Sequence, residues 1–142
     1  MNILVINGPN LNLLGIRETQ IYGKESLDEI MVWLEKSIEG LNHNFKFYQS
    51  NSEGELINIM QDERHWAKGI LINAGALSHY SYAIADTISA IQIPTIEIHM
   101  SKINERERFR KKSVLKKVCI KSITGLGKHS YLKGLEYFNK TS

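Results

Sequence analysis

The chain has 142 residues, a formal net charge of +3 and one cysteine, Cys119. Its length predicts a single domain over 1–142, and its 42% apolar and 23% charged content is typical of a soluble globular protein. No apolar run approaches the ~20 residues of a membrane span. The mild charge does not favour nucleic acid, and the N-terminus lacks the pattern of a signal peptide. We therefore expect a cytoplasmic protein that binds neither membrane nor nucleic acid.

The opening strand, predicted over 2–7, leads into an unusually long connection. This connection runs over 8–23, whereas about 2–6 residues usually join a strand to the next helix. Leu11, Leu14 and other apolar residues within it argue against disorder. Side-chain amides, Arg17 and Tyr22 supply polar groups at the strand end where open α/β folds bind ligands. These features predict an active-site loop.

Strands and helices alternate over the rest of the chain. Two Ser-to-Glu capping patterns, Ser26 to Glu29 and Ser52 to Glu55, predict helix starts. The predicted elements are helix 26–40, strand 45–50, a helix opened by Ser52, strand 69–73, helix 79–91, strand 94–99, a short helical segment within 102–112, strand 118–123 and helix 128–139. The inner face of helix 79–91 is predicted to consist of Ala83, Ile84, Thr87, Ile88 and Ile91.

Five strands that alternate with helices predict an α/β fold. Right-handed crossovers place helices on both faces of the sheet, which gives a flavodoxin-like three-layer sandwich with a five-stranded, doubly wound parallel sheet. In this arrangement the carboxyl ends of neighbouring strands form one crevice. Polar residues at three strand ends are expected to meet there: Asn7 and Asn10, Asn73 and His79, and Glu97 and His99.

Several cofactor-binding patterns are absent from the sequence. It has no Walker phosphate loop, no G-x-G-x-x-G after the first strand, no Cys/His cluster with zinc spacing and no G-x-S-x-G elbow. Three carboxylates at strand ends, as a magnesium site would need, are also missing. Gly125-Leu126-Gly127 is only a fragment of a glycine-rich loop. We therefore expect a site that works without a metal or a nucleotide cofactor.

The remaining candidate residues suit proton transfer. Tyr22 follows Arg17 in the opening loop, and a nearby guanidinium favours the phenolate form of tyrosine, which can then act as a base. The alternative is that Tyr22 only anchors the loop by packing. His99 ends the fourth strand and can act as a general acid, with Glu97 on the same strand face to orient it. The alternative for His99 is a hydrogen-bonded histidine of the core.

Other polar residues have weaker patterns. His79 follows a glycine-containing turn and is either a ligand or a helix N-cap. Asn10 and Asn73 are amide donors suited to hydroxyls or to a developing enolate oxygen, whereas Asn12 is better interpreted as a turn residue. The basic run between Arg106 and Lys117 is interrupted by acids and is interpreted as a solvated face, although one arginine could clamp a carboxylate.

Taken together, these residues resemble those of type II 3-dehydroquinate dehydratases, the dodecameric flavodoxin-like enzymes of the shikimate pathway. Order, spacing and length agree over essentially the whole chain, and the first segment is highly specific. Four segments carry the resemblance: Gly8-Pro9-Asn10-Leu11-Asn12-Leu13-Leu14-Gly15 with Arg17-Glu18 and Tyr22-Gly23; Gln49-Ser50-Asn51 with Glu53-Gly54; Asn73 with Gly75-Ala76, His79, Ser81, Ala83 and Asp86; and Glu97-Ile98-His99 with Ser101, Arg106, Glu107 and Arg110.

The resemblance implies an elimination of water from 3-dehydroquinate through an enolate, which gives 3-dehydroshikimate without a cofactor. It implies that Tyr22, as tyrosinate, removes a C2 proton and that Arg17 activates it. Asn10 would stabilise the enolate through a water. His99, oriented by Glu97, would protonate the departing C1 hydroxyl.

The resemblance also implies a substrate-binding set and an assembly. The assembly is a homododecamer, built as a tetramer of trimers, in which one residue of each chain reaches a neighbouring subunit's site. That residue corresponds to Asp86. The implied substrate ligands within the chain are Asn73, His79, Arg110 and the backbone of Met100 and Ser101.

The sequence departs from the family pattern at a few positions. Ala74 and Thr19 stand where proline is usual, and Ser52 stands where histidine is usual. Lys102 and Asn104 replace a common Asn and His. None of these changes removes a catalytic group, so we expect activity, with lid kinetics altered through Ala74 and Thr19.

Two other functions stay open on the residues alone. One is a transferase that binds a sugar or nucleotide through the Gly125–Gly127 turn. The other is a flavodoxin-like ligand-binding or receiver module without catalysis. A receiver needs an acidic cluster at the ends of the first and third strands, where this chain has Asn7 and Asn73. A flavin-binding module would make the purified protein yellow.

Overall fold

A five-stranded parallel sheet in the order β2-β1-β3-β4-β5 forms the centre of the molecule. The computed structural model describes residues 1–16, 19–103 and 107–141, with the backbone alone at 21–22. The strands are β1 (Asn2–Asn7), β2 (Asn44–Gln49), β3 (Gly69–Asn73), β4 (Thr95–His99) and β5 (Lys121–Thr124). The helices are α1 (Thr19–Tyr22), α2 (Leu27–Lys36), α3 (Glu53–Asp62), α4 (Tyr82–Ile91) and α5 (His129–Thr141), with 3₁₀ helices at Leu11–Leu13, Ile38–Gly40, Gly75–His79 and Arg108–Lys111. This strand order confirms the predicted flavodoxin-like fold.

Two apolar layers cover the sheet, one on each face. On one face, α2 and α5 pack through residues such as Leu34 and Leu135. On the other face, α3 and α4 pack through residues such as Leu56 and Ile88. Because both faces are covered, β3 and β4 are buried along their whole length, as parallel strands between two helical layers require. No helix in the described ranges is long and apolar enough to cross a membrane.

The first long helix ends earlier than predicted. The capping box is present as expected: the Ser26 hydroxyl accepts from the Glu29 amide, and the Glu29 carboxylate accepts from the Ser26 amide. The helix α2 nevertheless stops at Lys36 rather than at Gly40. Ser37 adopts an extended backbone and its hydroxyl accepts from the Gly40 amide, so a 3₁₀ turn replaces the last helical turn.

The second capping pattern is only half formed. The Ser52 hydroxyl accepts from the Glu55 amide at 3.2 Å, as predicted. The Ser52 amide, however, donates to the Ser50 hydroxyl at 3.0 Å and not to a glutamate. The start of α3 is therefore tied to the end of β2 through Ser50.

The predicted helix 79–91 is divided into two pieces. A 3₁₀ helix ends at His79, and α4 begins at Tyr82 after the cap residue Ser81. This shifts the buried face of α4: Ala83 is exposed, and Ala85 takes its place in the core. Ile84, Thr87 and Ile88 are buried as predicted, and Ile91 is partly buried.

The predicted strand 118–123 begins three residues too early. The amides of Val118 and Cys119 both donate to the Leu115 carbonyl, so these residues belong to a turn. The Ile120 amide then bonds to the Thr95 carbonyl, and β5 runs over Lys121–Thr124. The other predicted strand and helix ends match the structure or differ from it by at most two residues.

Gly8 joins the end of β1 to the end of β3 at very short range. Its amide donates to the Asn73 carbonyl at 2.8 Å. A Cβ at this position would lie 2.3 Å from the carbonyl oxygen and 2.6 Å from the carbonyl carbon of Ala74, both of them backbone atoms. Only glycine therefore allows the ends of β1 and β3 to approach each other this closely at the start of the predicted active-site loop.

Replacing Gly8 with alanine is expected to lower the free energy of unfolding by about 3 kcal/mol, because backbone atoms must separate to admit the new methyl group. The measurement is urea denaturation followed by circular dichroism. Gly54→Ala is the matched control, since Gly54 lies in α3 with open space around its Cβ position. That change should leave stability equal or raise it by about 0.5–1 kcal/mol. Equal midpoints for Gly8→Ala and the parent protein would contradict the steric argument.

Candidate active site

Three buried polar residues end the three central strands of the sheet. Asn7 ends β1 and is paired in register with Asn73, which ends β3. His99 ends β4, the next strand along. All three are at most 5% exposed, so burial confines them to fixed positions at the carboxyl edge of the sheet. The sequence predicted this meeting of strand ends.

Glu97 and His99 form a buried hydrogen-bonded pair. They lie two residues apart in β4 and therefore share a face of the strand. His99 Nε2 lies 2.7 Å from Glu97 Oε2. A carboxylate can only accept, so Nε2 carries a proton and Nδ1 is the ring nitrogen left for other partners.

Two serine hydroxyls, which the sequence analysis did not single out, complete the surroundings of Glu97. Ser122 donates to Oε1 at 2.9 Å, and Ser113 donates to Oε2, the oxygen that also binds His99. Ser122 lies directly beside Glu97 in the β4–β5 register. Ser122 lies in the predicted strand 118–123, but its pairing with Glu97 depends on the register between β4 and β5. No local pattern marks Ser113.

These contacts keep Glu97 ionised. Burial alone would raise the pKa of its carboxyl group, but hydrogen bonds from His99, Ser113 and Ser122 and the charge of His99 outweigh burial and hold the pKa below its usual range. The negative charge also acts on Cys119 nearby. Burial, with a contribution from Glu97, raises the pKa of that thiol to about 12.

The opening loop places Asn10 and Asn12 next to the end of β2. Asn10 has a left-handed backbone, with φ of 70°, and its amide donates to Asn51 Oδ1 at 2.9 Å. Gln49 Nε2 contacts the Gly8 carbonyl at 3.2 Å and Asn12 Oδ1 at 3.3 Å. The Asn10 side chain is exposed, whereas Asn12 lies in a 3₁₀ turn as predicted.

His79 is not a helix cap. Ser81 caps α4 by accepting from the Ile84 amide at 3.1 Å, whereas His79 ends the preceding 3₁₀ helix. The predicted alternative for His79 is therefore wrong. His79 Nδ1 donates to the Lys112 carbonyl at 2.7 Å, which leaves Nε2 as the free ring nitrogen.

Arg110 has an unmet hydrogen-bonding group. It lies in the 3₁₀ helix Arg108–Lys111, with its guanidinium 4.8 Å from the centre of the Phe109 ring. Over the described residues, its Nε is the one buried side-chain nitrogen or oxygen without a hydrogen bond. Glu107 Oε2 lies 3.7 Å away, which is too far for one. A buried donor without a partner is costly, so an anionic ligand at Arg110 would satisfy it.

Met100 and Ser101 follow β4 directly. Met100 is buried, and its carbonyl accepts from the Gly127 amide at 2.9 Å. The His99 carbonyl likewise accepts from the Gly125 amide at 3.2 Å. The Gly125–Gly127 turn is therefore bonded to the end of β4, and its amides at both glycines are already used.

The structure does not bring every predicted residue to the strand ends. Asp86 lies on the exposed side of α4, with no hydrogen bond or ion pair to the other candidate residues that are described. Arg17 lies outside the described residues, as does the Tyr22 side chain; the Tyr22 backbone ends α1. Within the described ranges, no three His, Cys, Asp or Glu side chains are grouped as a metal site requires.

Comparison with known proteins identifies the family. The family model described as "Dehydroquinase class II" matches residues 1–139. The chain belongs to the class II dehydroquinase family. The predicted family, fold class and enzymatic function are thereby confirmed. The individual site residues stay predictions.

Proteins similar to this chain cover nearly its whole length. A "3-dehydroquinate dehydratase" of Caldicellulosiruptor saccharolyticus is 52% identical over 136 residues, covering 94% of this chain and 92% of the relative. The protein of the same name from Fusobacterium nucleatum is 49% identical, covering 99% of this chain and all of the relative. The crystal structure of a type II dehydroquinase from Butyrivibrio crossotus superposes with a TM-score of 0.94 at 44% identity, covering 98% and 97% of the two chains.

Proposed function

We propose that this chain dehydrates 3-dehydroquinate to 3-dehydroshikimate, as the names of its relatives indicate, within the shikimate pathway of aromatic amino-acid biosynthesis. The observation that carries this proposal is the Glu97–His99 pair, buried at the end of β4 with its carboxylate held by two serines. A fixed carboxylate, an imidazole with one free nitrogen and nearby amides suit an acid-assisted elimination.

The first step is removal of a proton from C2 of the substrate. Tyr22, as tyrosinate, takes this proton, and the electron pair left on C2 delocalises onto the C3 carbonyl to give an enolate. Arg17 activates Tyr22 by favouring its phenolate form. Asn10 stabilises the enolate oxygen through a water, and its exposed side chain at the mouth of the opening loop is consistent with that role.

The second step is loss of the C1 hydroxyl. The enolate electrons form the C1–C2 double bond, the C1–O bond breaks, and the leaving oxygen takes a proton from His99 to depart as water. Because the N–H at Nε2 of His99 is hydrogen-bonded to Glu97, the proton given to the leaving hydroxyl comes from Nδ1 of the imidazolium form. The anionic Glu97 stabilises this imidazolium and holds the ring in place.

We assign substrate binding to residues other than the proposed base, Tyr22, and the proposed acid, His99. Arg110 binds the substrate carboxylate, with its unpartnered Nε as the supporting observation, and the backbone of Met100 and Ser101 assists. Asn73 and His79 bind substrate hydroxyls, the latter through Nε2. No metal or organic cofactor takes part.

The assembly and the cellular setting belong to the same proposal. The chain forms one catalytic domain, acts in the cytoplasm and assembles as a homododecamer made of four trimers. In each trimer Asp86 reaches the neighbouring subunit's site, which fits its position on the exposed side of α4. Sedimentation velocity tests the assembly, because a monomer of 16.3 kDa is easily separated from a dodecamer.

Mixing the protein with 3-dehydroquinate is expected to raise ultraviolet absorbance, because the elimination creates an enone conjugated with the carboxylate. The reaction should proceed unchanged with a chelator, and borohydride added with substrate should not inactivate the protein, since no lysine Schiff base forms. A protein that binds the substrate without any absorbance rise would be a ligand-binding module, and the proposed function would be wrong. Inactivation by borohydride would overturn the mechanism alone.

A further inference from the structure

We propose that Tyr131 is a positioning residue whose hydroxyl fixes the side-chain amide of Asn73 in its substrate-binding orientation. Tyr131 lies in α5, which has no other part in the proposed site. The inference rests on the proposed function, in which Asn73 binds the substrate.

The Tyr131 hydroxyl links the ends of two strands. The side chain is fully buried, and its hydroxyl donates to Asn7 Oδ1 at 2.7 Å and accepts from Asn73 Nδ2 at 2.9 Å. Asn7 ends β1 and Asn73 ends β3, and these two residues are neighbours in the register of the sheet. One hydroxyl from the helical layer therefore contacts both strands from which the predicted site loops emerge.

The neighbouring groups fix which atom donates and which accepts in each of these hydrogen bonds. Asn73 Oδ1 accepts from the Gly75 amide at 3.3 Å, so the amino group of Asn73 must face Tyr131. Tyr131 then has a lone pair toward Asn73 and its proton toward Asn7 Oδ1. The amino group of Asn7 in turn faces Met31 Sδ at 3.6 Å. Reversing any member of this series would place two donors or two acceptors together.

Tyr131 cannot itself exchange protons in the reaction. Burial raises its pKa far above the usual range, against a smaller lowering by the hydrogen bond from Asn73. It therefore stays a neutral hydroxyl at working pH, in contrast to the role proposed for Tyr22. Tyr131 contributes by orienting Asn73. Because one N–H of the Asn73 amide donates to Tyr131, the amide cannot rotate. Its other N–H and the second lone pair of Oδ1 therefore keep a fixed direction for the substrate.

The test is Tyr131→Phe, assayed at 25 °C with 3-dehydroquinate. Without the hydroxyl, the amide of Asn73 can rotate, and we expect KM to rise about three- to tenfold with kcat changed less than twofold, as loss of one neutral hydrogen bond to bound substrate predicts. The matched control is Tyr137→Phe in the same helix, because the Tyr137 hydroxyl makes no hydrogen bond to a described residue. That control should keep both kinetic constants.

A double-mutant cycle separates positioning from simple support of the fold. In an Asn73→Ala background, Tyr131→Phe should no longer change KM, because the amide through which it acts is gone. An equal rise in KM in both backgrounds, or no rise in the parent protein, would overturn the inference. The parent enzyme is measured in the same series, so loss of the proposed function itself would appear as absent turnover in every variant, including Tyr137→Phe.

A second variant covers the case in which Tyr131→Phe fails to fold. Asn7→Ala removes the acceptor of the Tyr131 proton and leaves the tyrosine ring in the core. The freed hydroxyl can then rotate and donate toward Asn73, which competes with the orientation described above. A rise in KM that disappears in the Asn73→Ala background supports the inference, and an unchanged KM contradicts it.

Discussion

Tyr22→Phe is expected to lower kcat about a thousandfold while the protein stays folded, because positioned acid–base groups typically contribute 10²–10⁴ to rate. The change removes one oxygen, the proposed acceptor of the C2 proton. The measurement is the rate of enone formation at saturating 3-dehydroquinate, with circular dichroism to check the fold. Substrate should still raise the melting temperature of the variant, since the proposed carboxylate and hydroxyl ligands are intact.

Tyr137→Phe is the matched control for this experiment as well. It removes a tyrosine hydroxyl from the last helix, away from the opening loop, and should leave kcat unchanged. If Tyr22→Phe kept a near-normal kcat, Tyr22 would not be the base. The original alternative, in which its ring only anchors the loop by packing, would then be correct, because phenylalanine preserves that packing.

His99→Ala should lower kcat by a comparable factor, about 10²–10⁴, through loss of the acid that protonates the leaving hydroxyl. Alanine also removes one of the three donors to the buried Glu97. Breaking a buried ion pair typically costs about 3–5 kcal/mol of stability, so unfolding must be measured alongside activity.

His99→Gln separates these two effects. The glutamine amide can donate to Glu97 but cannot act as an acid. We expect it to recover most of the stability lost in His99→Ala and none of the kcat. If His99→Gln turned over at near the parent rate, His99 would be a hydrogen-bonded core residue and the acid would have to lie elsewhere.

The sequence predicted the parts of the site that depend on the spacing of residues within a strand or on where parallel strands end. Glu97 and His99 share a strand face because they are two residues apart, and Asn7 and Asn73 meet because parallel strands end at the same edge. These relations follow from the geometry of a single strand or sheet. They do not require knowledge of how helices pack.

The groups that surround those residues depend on contacts between distant segments. Ser113 is 16 residues from Glu97, and Tyr131 is 58 residues from Asn73 and 124 from Asn7. Nothing in the local pattern of a serine in a turn, or of a tyrosine on an apolar helix face, distinguishes a hydrogen bond to a catalytic group from ordinary packing. The misplaced start of β5 has a different origin: Val118 and Cys119 have strand-like side chains, but their amides donate to the carbonyl of nearby Leu115 in a local turn.

The protonated state of Cys119 has a practical consequence for studying the opening loop. Thiol reagents attack the thiolate, and a pKa of about 12 leaves almost none of it at neutral pH. The 142-residue sequence has no other cysteine. A cysteine introduced at an exposed loop position such as Ile16 would then be the one fast-reacting thiol, so a fluorophore or spin label could be attached there in the otherwise unaltered enzyme. Movements of the loop during turnover would become directly observable without first engineering Cys119 away.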